Sequence, residues 1–129
     1  MPNYGPIDAN LALRTSATAV TATTNDSSLA FDGLAQESFA ALFDVTALTV
    51  AGATITLEVQ LSADSAFTVP VSMGTVVPSA VGQYEISMSG QEITQRLATA
   101  AFIRSRVTIT GGTSPSITYN AWVVPPYRT

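Results

Sequence analysis

Residues 102–124, FIRSRVTITGGTSPSITYNAWVV, constrain the fold more than any other part of the chain. Two runs rich in β-branched and aromatic residues flank a turn marked by Gly111, Gly112 and Pro115. That is the composition of two strands around a reversal of direction. In the first run Ile103, Val107 and Ile109 share one face, and Phe102, Arg104, Arg106, Thr108 and Thr110 share the other. The second run, 117–124, is expected to return as its hairpin partner. If Ile117, Tyr119, Ala121 and Val123 face the core, Trp122 faces outward beside Thr118, Asn120 and Val124. The opposite register buries Trp122, the commoner fate of a tryptophan in a sheet protein.

The same period of two recurs upstream. In 54–62, TITLEVQLS, the residues Ile55, Leu57, Val59 and Leu61 alternate with Thr54, Thr56, Glu58 and Gln60. Such a strand sets one face in a core and the other against water or a partner. Residues 11–24 alternate threonine with alanine and suit an edge or weakly paired strand, followed by a turn at 25–28. In 38–50 the alternation is broken near Ala41, which predicts a bulge or a short irregular crossing there. Pro70 and Pro78 confine 67–77 to a sheet edge or a long loop. Tyr84, Ile86 and Met88 line one face of a further strand. Only 89–98 reads as a helix, with Ser89 and Glu92 at capping-box spacing and Ile93 and Leu97 four apart. About seven short strands with at most one helix near 90–98 give an all-β, single-domain β-sandwich, with a jelly roll or open barrel as variants. The sandwich spans 11–124, between an extended arm at 1–10 and a tail at 125–129.

Composition narrows the chemistry. The chain has 129 residues, enough for one domain with a sizeable core. It contains no histidine, cysteine or lysine. A Ser-His-Asp triad, a cysteine nucleophile, a lysine Schiff base and a P-loop are therefore outside its repertoire, and it is not expected to be an enzyme. No disulfide forms, and no metal or other cofactor is expected. The formal charge is −4, with Arg14, Arg96, Arg104, Arg106 and Arg128 the only side-chain cations, so no basic footprint for nucleic acid is present. No apolar run reaches membrane-spanning length and no signal peptide is visible.

Nine scattered acids permit carboxylate pairs such as Glu85 with Glu92 or Asp44 with Glu58, but none lies in a motif, and they read as solvated surface groups. Asp26 and Asp32 share a loop region that lacks the glycine and closing glutamate of a calcium loop. Arg104 and Arg106, on one strand face, are either a solvated face or an interface. Tyr4 and Tyr127 sit in proline-bearing segments of low charge, which favours docking of those arms on a neighbouring subunit. Tyr4, Arg104, Arg106, Trp122 and Tyr127 are thus the candidate interface residues.

Several motifs carry a resemblance. Residues 102–106 (FIRSR), 110–117 (TGGTSPSI), Ala121-Trp122, Gly82-Gln83-Tyr84 and 57–64 (LEVQLSAD) resemble small virion structural proteins of tailed bacteriophages, in particular capsid decoration, or cement, proteins. The likeness covers most of 54–124. It implies a β-sandwich that binds the outer surface of the head, contacts the major capsid protein and reinforces its subunit contacts, often as a trimer or dimer. Its expected place is the capsid surface of the virion, after assembly in the host cytoplasm. The alternative is a tail, baseplate or fibre module that binds a host-surface glycan through an exposed aromatic such as Trp122, Tyr119 or Tyr84. A small RNA-packaging coat protein fits poorly with the acidic balance and absent lysine.

Overall fold

The computed structural model describes residues 12–30 and 39–124. The proposed arm, the tail, Tyr4 and Tyr127 lie outside the described residues. Among the described residues nine strands and one helix follow in order: β1 (Ala12–Thr15), β2 (Thr24–Asn25), β3 (Leu29–Ala30), β4 (Phe39–Thr49), β5 (Ala53–Ser62), β6 (Val71–Val76), β7 (Gly82–Met88), α1 (Gly90–Arg96), β8 (Phe102–Gly111) and β9 (Ser116–Val124). They form two antiparallel sheets, one ordered β1-β9-β4-β7 and the other β2-β8-β5-β6, with β3 also pairing to β8. The sheets face each other in a sandwich, as expected for this alternation.

The core is built from the inward rows. Ala41, Phe43, Val45, Ile117, Tyr119, Ala121 and Val123 of the first sheet meet Ile55, Leu57, Val59, Leu61, Ile103 and Val107 of the second. Most of these side chains are fully buried, and burying each aliphatic one is worth about 1.5–3 kcal/mol before chain entropy is counted. Helix α1 closes one end of this core. Ser89 Oγ caps it by accepting from the Glu92 N–H at 3.1 Å, and Ile93, with no exposed surface, is its contact with the core. Arg96 in its last turn donates to the Ser72 carbonyl at 2.9 Å, anchoring the helix to the edge strand β6. Pro70 and Pro78 bracket β6, and its place at the sheet edge is the one that proline demands.

The structure corrects the expected hairpin. β8 and β9 do not pair: β8 lies between β5 and the short β2 and β3, whereas β9 lies between β1 and β4 in the opposite sheet. Residues 112–115 therefore arch from one sheet to the other, as 50–52 do between β4 and β5. Both runs are apolar on one face and face each other across the core, so stacking them satisfies the same pattern as pairing them would. Positive φ values at Gly111, Gly112 and Ser114 make the arch, and the Thr113 N–H donates to the Ala51 carbonyl of the neighbouring arch at 3.0 Å.

Two further expectations change. Residues 11–24 do not form one edge strand: pairing in the first sheet stops at Thr15, returns as a bridge between Val20 and Ile117, and passes to the second sheet at Thr24, which pairs with Val107. The bulge in β4 falls between Val45 and Ala47 rather than near Ala41. Ala40 and Leu42 on the outward face are as buried as Ala41 and Phe43 on the inward one, so an apolar outer face gave the appearance of a broken alternation.

Candidate functional site

The open side of the sandwich between β1 and β2 is closed by polar groups. An irregularity between Ala12 and Arg14 turns both Leu13 and Arg14 inward. The Arg14 guanidinium lies 4.9 Å above the Tyr119 ring centroid. It donates from Nη1 to Asp26 Oδ1 at 2.9 Å and from Nη2 to the Thr18 carbonyl at 3.1 Å. Asp26 Oδ2 accepts from Ser105 Oγ at 2.6 Å and from the Tyr119 hydroxyl. The Asp26 N–H in turn donates to the Ser105 carbonyl at 3.0 Å. One carboxylate thus joins β1 and β9 of one sheet to β8 of the other. Its side chain is 4% exposed, and that of Arg14 is 13% exposed, so the pair is a desolvated clasp rather than a surface ion pair. Sequence reasoning places Asp26 in a turn and finds no calcium loop around it, but does not foresee this clasp. Its partners are 12, 79 and 93 residues away, and no local motif announces them.

Burial pushes the Tyr119 hydroxyl far above the ordinary tyrosine range, and its hydrogen bond to Asp26 adds to this, while Arg14 and Ser105 oppose it. A free tyrosine ionises near pH 10. Above that pH the unfolded chain releases this proton and the folded chain keeps it, so stability is intact below about pH 10 and falls as pH rises beyond it. Urea midpoints measured across the alkaline range are expected to show this decline, and Tyr119→Phe should flatten it.

Arg104 and Arg106 lie on the outer face of the second sheet, on a central strand rather than an edge. The chain at 63–70 folds back over that face and brings Phe67, 6% exposed, beneath Arg104. The guanidinium sits 4.2 Å from the ring centroid and donates from Nε to Gln60 Oε1 at 2.9 Å, while Gln60 donates to Glu58 at 2.6 Å. Burial first, then the like charge of Arg106, holds Arg104 below the usual arginine value, with Glu58 opposing. Arg106 donates weakly to Thr108 Oγ1 at 3.4 Å. Asp64 fixes the returning loop through the hydroxyls of Thr68 and Ser62, which lower its pKa. Gln60, expected on the face toward water or a partner, is buried, as is Ser62.

Trp122 is on the opposite side of the molecule. Ile117, Tyr119, Ala121 and Val123 all face the core, so Trp122 points outward from the first sheet. It is half-buried and packs on Ala40 and Leu42. Along the same face of β9 stand Asn120 and Thr118. They floor an open trough of about 550 Å³, walled by Thr15 and Ser16 on one side and by Thr46 and Ala47 at the β4 bulge on the other. The register sets Thr15, Asn120, Asp44 and Gln83 side by side across the four strands. No hydrogen bond ties the side chains of Asn120, Asp44 or Gln83 to another of the described residues. Tyr119 is buried in the core, and Tyr84 faces inward, so of the three aromatics considered for a platform only Trp122 faces out.

The exposed large apolar side chains among the described residues are Val69, Val77 and Val81. The last two share the β6–β7 connection. There the Tyr84 hydroxyl donates to the Ala80 carbonyl at 2.7 Å and accepts from the Ala80 N–H at 3.3 Å, and Pro78 is buried. The structure therefore does not bring Trp122 together with Arg104 and Arg106, and it adds a braced apolar loop that alternation could not reveal. The chain matches no protein-family model, and no curated protein is similar enough in sequence to stand as a relative.

Proposed function

We propose that this chain is a virion structural protein of the capsid-decoration type, which binds the outer surface of a phage head and reinforces contacts between major capsid subunits. The observation that carries this reading is the β6–β7 loop. Val77 and Val81 are 59% and 60% exposed on a connection held at both backbone groups of Ala80 by one tyrosine hydroxyl. An apolar contact already fixed in shape loses little entropy on docking. Repeated over the many copies on a shell, and within a trimer or dimer of the chain, such a modest contact becomes strong through avidity. The sandwich and the motifs of 54–124 accord with it. The sparse charge suits a protein whose work is contact.

Purified protein is expected to rebind heads assembled without it and to raise the temperature at which they disrupt. Val77→Asp and Val81→Asp place a carboxylate where apolar contact is required. Each should weaken rebinding at least about tenfold, a difference of ~1.4 kcal/mol, without lowering the protein's own melting temperature. Full-strength rebinding by the double variant, or no rebinding of expanded heads by the wild-type chain, contradicts the proposal.

A further inference from the structure

We infer that the outer face of the first sheet, along β9 from Thr118 to Trp122, is a binding site for a neutral oligosaccharide. The trough has the volume of a small-ligand site, and its shape has a cause. β1 leaves the sheet after Thr15, and the β4 bulge lifts Thr46 and Ala47, so two walls rise on either side of Thr118 and Asn120. Bulges commonly re-aim side chains beside sites in this way. Trp122 stands two residues beyond Asn120 on the same face, about 7 Å along the strand, outside the residues that line the trough, so it extends the site from one end rather than closing a pocket.

The chemistry of the trough and of the sheet face beside it matches a sugar. The accessible part of Trp122 offers an apolar surface to the C–H face of a pyranose, and the indole N–H is a donor. Asn120 and Gln83 each supply a carbonyl and an amide, and Asp44 between them supplies a carboxylate that accepts from paired hydroxyls. These three side chains have their hydrogen-bonding capacity uncommitted among the described residues. Hydroxyls of Thr15, Ser16, Thr46 and Thr118 line the remainder, although Thr46 already donates to the Thr118 carbonyl at 3.3 Å. Among the described residues the charges on this face are the carboxylates Asp44 and Glu85; Arg14 is turned into the core, and Arg104 and Arg106 are on the other sheet. A sialylated or phosphorylated glycan would be repelled by these two carboxylates, which favours an uncharged one.

Neither Val77 nor Val81 lines the trough, and the inference does not depend on the capsid reading. Trp122 is the chain's single tryptophan, so its emission reports the site alone. Titration with neutral oligosaccharides (galactose-, glucose- and N-acetylglucosamine-based) is expected to give a saturable change in emission with at least one of them. Trp122→Ala and Asn120→Ala, followed by calorimetry, should each weaken that binding at least about tenfold, whereas Arg106→Ala on the opposite sheet should leave it unchanged. Trp122→Phe keeps the packing on Leu42 and should retain part of the affinity, which separates lost stacking from a lost fold. Absence of response to every neutral sugar overturns the inference. So does wild-type affinity in Trp122→Ala, or a response to acidic sugars alone. A change in emission on adding heads and no sugar would assign this face to protein contact instead.

Discussion

Replacing Asp26 with alanine is expected to destabilise the folded chain by about 3–5 kcal/mol, the usual cost of removing one partner from a buried ion pair. For a domain of this size that is a fall in melting temperature on the order of 10–20 °C. The loss is large because the carboxylate holds three donors at once. Without it, Arg14 remains turned into the gap between the sheets with its charge unopposed, and its Nε–H is already buried without an acceptor. Ser105 Oγ and the Tyr119 hydroxyl lose their acceptor in the same step. Asp26→Asn keeps the shape but not the charge and should fall between wild type and Asp26→Ala. The decisive measurement is a double-mutant cycle. Arg14→Met should cost little in the Asp26→Ala background, because the orphaned charge is then gone, and the two effects should be far from additive. Additive effects, or an unchanged melting temperature in Asp26→Ala, would show that the clasp is incidental.

That clasp also marks where the sequence stops being legible. The alternation of 54–62 fixes which side chains enter the core, because a strand's side chains alternate strictly between its two faces. The helix at Gly90–Arg96 is equally local, announced by Ser89, Glu92 and Ile93. Which sheet a strand joins is not local. Periodicity shows that Ile103 and Val107, and Ile117 and Tyr119, turn toward a core. It does not distinguish two strands side by side from two strands stacked across that core, so the expected hairpin of 102–124 became an arch. Trp122 could be oriented only conditionally, and the condition was met by its neighbours Ala121 and Val123. Arg104 and Arg106 stand out as two of five cations, but what Arg104 meets is not local: Gln60 lies beside it across the β5–β8 pairing, and Phe67 comes from the loop after β5. Asn120, Asp44 and Gln83 belong to three strands, and only the pairing register sets them in one row.

The arch that defeated the hairpin reading gives the second large effect. Gly112→Ala is expected to cost about 2–5 kcal/mol. Its φ of +76° is in the left-handed region, where a Cβ costs about 1–2 kcal/mol. That Cβ would also stand 2.6 Å from the Cβ and backbone nitrogen of Ala53 and 2.9 Å from the Ala51 carbonyl oxygen. Backbone cannot swing aside as a flexible side chain would, so overlap adds roughly 1–3 kcal/mol more. Gly111 is the control. Its φ of +74° is nearly the same, but a Cβ there meets nothing within 4 Å, so Gly111→Ala should cost only the conformational part. Urea unfolding of the two variants separates close packing of the arches from backbone conformation. Equal losses would show that contact between the arches contributes nothing. The larger loss at Gly112 would show that the 50–52 and 112–115 arches stabilise each other. Their contact fixes where β9 enters its sheet, and with it the level at which Asn120 and Trp122 face outward beside Asp44 and Leu42.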